Sequence, residues 1–128
     1  MSNISLVEKS KSIDEVVLSV IGKKGLAGFE KAFLVSTAID ALDSLLDNEY
    51  MKPIMKLQGT ALGFRTDKDR NGGYSLEDVK RCLKEAVLKG YQPTNNEFNI
   101  IAGNMYPTKN GLERKANEWH GLKYMDRR

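Results

Sequence analysis

The feature that most constrains the fold is a change in the spacing of apolar residues after Pro93. Upstream, apolar side chains recur at intervals of three and four, which is typical of one face of a helix: Leu76, Val79, Leu83, Ala86 and Val87. Downstream, residues 97–102 (EFNIIA) predict a strand, and residues 104–106 predict its hairpin partner across Gly103-Asn104. The two periods in succession predict an α+β fold.

The clearest predicted helix begins with a capping box at Ser75-Leu-Glu-Asp78 and ends near Gly90. Earlier apolar spacing predicts a helix from Ser12, a second over about residues 26–47, and a short third helix with Pro53 just inside its first turn. The glycine- and charge-rich residues 59–73 are interpreted as a connection.

We predict a flexible N-terminus over residues 1–11 and a single α+β domain over residues 12–128. Its N-terminal part is mostly helical and is followed by the hairpin. A short helix over residues 112–119 comes next, and residues 122–125 predict the start of a further strand. That last strand has no visible partner, so we expect it to offer a sheet edge to another segment or chain.

The sequence lacks the residues that several classes of function require. Cys82 is the only cysteine and falls on the apolar face of the predicted helix, so it is interpreted as a core residue. His120 is the only histidine, and no phosphate-binding loop of the Walker type is present. We therefore predict a protein that is not an enzyme and has no cofactor. With no long apolar run or secretory signal, we expect a cytoplasmic protein without a membrane partner.

Residues 67–78 (DKDRNGGYSLED) match much of an EF-hand calcium loop. The candidate oxygen ligands are Asp67, Asp69, Asn71, Ser75 and Asp78. Position 12 is aspartate rather than glutamate, Tyr74 replaces the usual aliphatic residue at position 8, and no second loop is present to pair with it. A charged turn leading into the capped helix is the preferred interpretation, with a calcium-binding protein kept as an alternative.

Charge is divided unevenly along the chain. Residues 1–51 carry five Lys/Arg and eight Asp/Glu, a net of −3, whereas residues 52–128 carry fifteen and nine, a net of +6. A basic half predicts a polyanionic partner, with phosphates held by lysine, arginine and the N-terminus of the short helix. The candidate nucleic-acid-binding residues are Tyr106, Lys109, Asn110, Arg114 and Lys115, with Arg65 and Arg81 extending the track.

An ordered set of segments over about residues 45–124 resembles the RecT/Redβ family of phage single-strand annealing proteins. The segments are YMKPIMKLQG (50–59), LGFRTDKD (62–69), GGY (72–74), VKRCLKEA (79–86), GYQP (90–93) and NEFNIIAGNMY (96–106). The resemblance implies binding of single-stranded DNA and ATP-independent annealing in phage or prophage recombination. It also makes the Asp67 segment a connection rather than a calcium loop.

The same resemblance implies a homo-oligomer, either a ring or a filament, a phage exonuclease as a possible partner, and the cytoplasm of a bacterial host. Family members continue past the point where this sequence stops, so residues 12–128 are expected to form an incomplete annealing core. A further alternative is therefore a short homologue that regulates a full-length annealing protein.

Overall fold

The computed structural model describes residues 3–117, which fall into two compact units divided between Met55 and Lys56. Helices occupy the first unit, and a three-stranded sheet with its helices occupies the second. This order confirms the predicted α+β class. Among the described residues, no helix is long and apolar enough to cross a membrane.

The first unit consists of α1 (Asn3–Ile21), α2 (Gly28–Leu45) and α3 (Asn48–Met55), with α1 packed against α2. Helix α1 begins at Asn3 rather than at Ser12 as predicted. Its first half makes tertiary contacts that the local sequence does not reveal. Lys9 forms an ion pair with Asp47, and the Ser10 and Tyr50 hydroxyls lie 2.7 Å apart. These contacts hold residues that propensity alone interprets as loose.

The apolar repeat of α2 is buried only in its second half. Ala38 and Leu42 are buried, as is Leu46 just beyond the helix. Phe29 and Phe33, which belong to the same apolar repeat in its first half, are 94% and 68% exposed. The spacing therefore predicted the helix correctly but not which of its turns are covered.

Helix α3 begins at Asn48, before the start predicted from Pro53. The Asp47 carboxylate accepts a hydrogen bond from the Tyr50 backbone N–H at 2.9 Å, which satisfies one donor of the first turn. Pro53 therefore lies inside the helix rather than at its first position, which corrects the prediction.

The sheet of the second unit has the order β1–β2–β3, formed by Arg65–Thr66, Phe98–Ile101 and Asn104–Pro107. Strands β2 and β3 form the predicted antiparallel hairpin, and β1 pairs with β2 in parallel. Strand β1 lies in the segment predicted to be a connection. Two residues are too few to show a strand period, and the partner lies more than thirty residues away, so no local pattern announces this strand.

The hairpin turn is formed by Ala102 and Gly103, with φ angles of 52° and 78°. Positive φ at both central residues is typical of a type I′ turn, whose twist matches the flanking strands. The turn therefore lies one residue before the predicted Gly103-Asn104 pair. Ala102 adopts a left-handed conformation that costs a residue with a Cβ more than it costs glycine.

One face of the sheet is covered by α4 (Leu76–Leu88). The Ser75 hydroxyl accepts a hydrogen bond from the Asp78 N–H, which confirms the predicted cap, and Gly90 follows the helix with a φ of 91°. The core beneath α4 is buried, and Phe64 stacks on Phe98 with ring centroids 5.1 Å apart. It also includes Val79, Cys82, Leu83, Ala86, Ile100 and Met105.

A further helix, α5, begins at residue 109 and continues to 117, the last described residue. It starts earlier than the predicted residue 112 because the Thr108 side-chain oxygen accepts a hydrogen bond from the Gly111 N–H at 3.2 Å. The strand predicted over residues 122–125 lies outside the described residues.

Candidate nucleic-acid interface

The predicted binding residue Arg114 lies in an ion pair within the second unit. Its Nε and Nη2 donate to the two carboxylate oxygens of Glu97 at 2.6 and 2.7 Å, and Nη2 also donates to the Gly90 carbonyl at 2.7 Å. Glu97 is 2% exposed and accepts a further hydrogen bond from the Gln92 N–H. These bonds fix α5 to the second unit's core and commit the Nε and Nη2 donors of Arg114 to the fold.

The other candidates on α5 also contact their own chain. Lys115 donates to the Lys89 carbonyl at 2.8 Å, and its Nζ lies 4.4 Å above the Tyr91 ring. Asn110 donates to the Asn95 carbonyl, and Lys109 lies 3.8 Å from a carboxylate oxygen of Glu113. The structure thus brings the predicted α5 residues together. The contacts they make are with other residues of the same chain. Lys109, at 87% side-chain exposure, is open to solvent, and Asn110 is exposed as well.

The candidate calcium ligands make hydrogen bonds within their own loop and its neighbours. The Asp67 carboxylate accepts hydrogen bonds from the Tyr74 hydroxyl at 2.5 Å and the Ala102 N–H at 3.2 Å. Asp69 Oδ1 accepts from the backbone N–H and hydroxyl of Thr66. A strand rather than a helix enters the loop. Within residues 3–117, no group of three or more His, Cys, Asp or Glu side chains is placed to hold a metal ion.

Two further candidate calcium ligands, Ser75 and Asp78, make hydrogen bonds within helix α4 or at its start. The Ser75 hydroxyl caps the helix, and the Asp78 carboxylate accepts a hydrogen bond from Arg81 at 3.2 Å. Asn71 closes the 3₁₀ turn Asp69–Asn71. Arg81, predicted to contact DNA, is 53% exposed and forms this i,i+3 pair on the helix surface.

The strand register places Arg65, Asn99 and Tyr106 in one row across the sheet. Arg65 is paired with Asn99, and Asn99 with Tyr106. Directly paired residues project from the same side of a sheet. Because Ile100 and Met105 point into the core, the row lies on the opposite side. Ile101 and Asn104 form the next row, and we call these five residues the open sheet face.

The open sheet face combines an aromatic ring, an aliphatic side chain and a cation. Tyr106 is 48% exposed and Ile101 is 42% exposed, so an aromatic ring and an aliphatic side chain are accessible. Arg65 is exposed, and its guanidinium makes no ion pair with any described residue. A shallow cleft of ≈190 Å³ lies beside Arg65, lined also by Thr66, Asp67, Asn99 and Ile101.

The charges around this face are fixed by hydrogen bonds. The Tyr74 hydroxyl, aided by the Ala102 N–H, holds the pKa of Asp67 below its usual range. The same bond raises the pKa of Tyr74. Asp67 is therefore ionised and Tyr74 protonated at neutral pH. Residues 56–117 as a whole carry eleven Lys/Arg against seven Asp/Glu, a net of +4.

Asn99 and Ile101 were not among the residues selected from the sequence. The strand period places them on the face opposite Phe98 and Ile100, so alternation alone could have identified them. What the sequence does not reveal is that β1 brings Arg65 beside them.

Comparisons with protein-family models, curated proteins and solved structures find no match to this chain. The resemblance to annealing proteins, and the partners and compartment it implies, therefore stay predictions.

Proposed function

We propose that this chain binds single-stranded DNA on its open sheet face and is not an enzyme. The observation that carries the proposal is the row Arg65–Asn99–Tyr106, in which a cation, an amide and an aromatic ring stand side by side on a sheet face that α4 does not cover. The resemblance to single-strand annealing proteins supports the same ligand.

The residues of the row are proposed to contact different parts of the strand, one a base and another a phosphate. A base stacks on the Tyr106 ring, which every nucleobase can do because each has a π face. Arg65 neutralises a neighbouring phosphate and releases its condensed counterions, so affinity falls as salt rises. A duplex hides the faces of its bases within its stack, so this mode of binding favours a single strand.

The experiment is a fluorescence-anisotropy titration of labelled single-stranded and duplex DNA at several salt concentrations. Replacing Tyr106 by Ala is expected to cost about 1–3 kcal/mol of binding free energy, whereas Tyr106→Phe keeps the ring and most of the affinity. Arg65→Ala is expected to reduce the salt slope by about one.

Matched controls separate this face from the residues of α5. Lys109→Ala removes an exposed cation, and Leu112→Ala removes an exposed apolar side chain. Neither is expected to change affinity as much as Tyr106→Ala. If Lys109→Ala weakens binding while Arg65→Ala and Tyr106→Ala do not, the interface lies on α5 and the open sheet face is the wrong assignment.

Annealing is the further activity that the resemblance implies. Pairing two strands requires their phosphates to be neutralised while base edges stay accessible, and stacking then contributes roughly 1.4 kcal/mol per base-pair step. A strand-annealing assay run without ATP, alongside light scattering with and without DNA, tests the annealing activity and the proposed ring or filament.

A further inference from the structure

Asn99 has a side chain that is unfavourable for its position in the sheet. It lies in the central strand, where asparagine is disfavoured relative to β-branched residues. Its Oδ1 is buried and accepts no hydrogen bond from any described residue. Buried polar atoms are nearly always paired, and residues that break this rule are often found at functional sites. The Asn99 acceptor is therefore left to a donor that the described residues do not supply, from water or from a ligand.

The cleft beside Asn99 has the size and chemistry to take one nucleobase. Its volume of ≈190 Å³ is of the order of a single base, and Ile101 offers an apolar surface to the ring. Asp67 contributes an ionised carboxylate. Each of its oxygens accepts one hydrogen bond within the protein, which leaves a lone pair on each. The lining thus holds acceptors on Asp67 and Asn99 together with the donors of Arg65.

Resting on the proposed function, we propose that this cleft reads one base of the bound strand and prefers a base that carries an exocyclic amino group. The amino group donates to Asn99 Oδ1 after a rotation about the Asn Cβ–Cγ bond, a torsion with a broad well. Asp67 accepts a second N–H of the same base, and Arg65 holds the phosphate beside it.

Uracil and thymine fit this lining less well. Their 4-oxo group places an acceptor where cytosine has an amino donor, so it faces the oxygens of Asp67 and Asn99. The Asp67 carboxylate can only accept, so like partial charges then oppose each other, and the single ring N–H of uracil or thymine can satisfy only one of the two acceptors. The preference therefore depends on the repulsion of the 4-oxo group as much as on the hydrogen bonds of the amino group.

The test compares oligo-dC with oligo-dU of equal length, which differ at the amino and oxo positions and share their backbone. The chain is expected to bind oligo-dC about tenfold more tightly at neutral pH and fixed salt. Asn99→Thr removes the amide and introduces a better strand former. This variant is expected to bring the ratio of the two affinities close to one while its unfolding midpoint equals or exceeds that of the unsubstituted chain.

Tyr106→Ala is the matched control because stacking is open to either base. It is expected to weaken binding to both oligonucleotides and to leave their ratio in place. Binding of both with equal affinity would overturn base reading while leaving the proposed function intact; binding of neither would overturn both. A ratio that persists in Asn99→Thr would exclude Asn99 as the reader.

Discussion

The ion pair between Glu97 and Arg114 offers the sharpest test of the interpretation that α5 is held by buried charge rather than prepared for DNA. Glu97 is 2% exposed, and the Arg114 side chain is 25% exposed. The carboxylate accepts two hydrogen bonds from the guanidinium and one from the Gln92 N–H. Arg114→Ala removes two of these three donors and leaves a buried negative charge.

The expected loss is about 3–5 kcal/mol of the free energy of unfolding, the range for breaking one partner of a buried pair. Small domains have roughly 5–15 kcal/mol in total, so this single change removes a large part of the stability. The Gly90 carbonyl also loses the donor at 2.7 Å that Arg114 supplies. Arg114→Lys keeps the charge but not the planar fork, so an intermediate loss is expected.

Chemical denaturation followed by circular dichroism measures the effect, with Lys109→Ala as the matched control on the same helix. Lys109 forms an exposed i,i+4 pair at 3.8 Å with Glu113, which contributes about 0.5 kcal/mol or less. The pair variant Glu97→Gln with Arg114→Met is expected to recover part of the loss because no unpaired charge stays buried.

The reasoning is refuted if Arg114→Ala costs less than about 1 kcal/mol, because an exposed pair contributes no more than that. It is also refuted if Lys109→Ala costs as much. In the first case Arg114 would not be committed to the fold and would return as a candidate for DNA; in the second, the loss would not be specific to the buried pair.

Three further changes test other parts of the second unit. Ala102→Asn is expected to raise stability by about 0.5–1 kcal/mol, measured by thermal unfolding, because asparagine tolerates the left-handed conformation of the turn. Because the pKa of Asp67 is lowered and that of Tyr74 is raised, stability is expected to fall as pH drops below about 4 and as it rises past about 10. In Tyr74→Phe both dependences should become shallower in pH-resolved denaturation. Gly111→Ala places a Cβ against the Glu97 carbonyl, so a loss of about 1–3 kcal/mol is expected in denaturant titration.

The sequence predicted well the features that depend on neighbours along the chain. The Ser75 cap, the apolar face of α4, the buried Cys82 and the alternation of the hairpin each follow from a few consecutive residues. They appear in the structure close to their predicted positions, and the turn is displaced by one residue.

Features that depend on distant neighbours were not predictable. The helical start at Asn3 is supported by Lys9 with Asp47 and by Ser10 with Tyr50, pairs about forty residues apart. The strand containing Arg65 exists because a segment more than thirty residues later pairs with it. No single-sequence period encodes such a pairing.

The same limit explains why some candidate site residues were better chosen than others. Arginine and lysine near a helix N-terminus predict phosphate binding from composition, yet a cation contributes to binding only if its donors are not already satisfied. The Nε and Nη2 donors of Arg114 are committed to Glu97 and Gly90, whereas the described residues leave the Arg65 guanidinium without an ion pair. An unsatisfied acceptor at Asn99 lies in the same row. Hydrogen-bond satisfaction thus distinguishes the cation that supports the fold from the one available to a ligand.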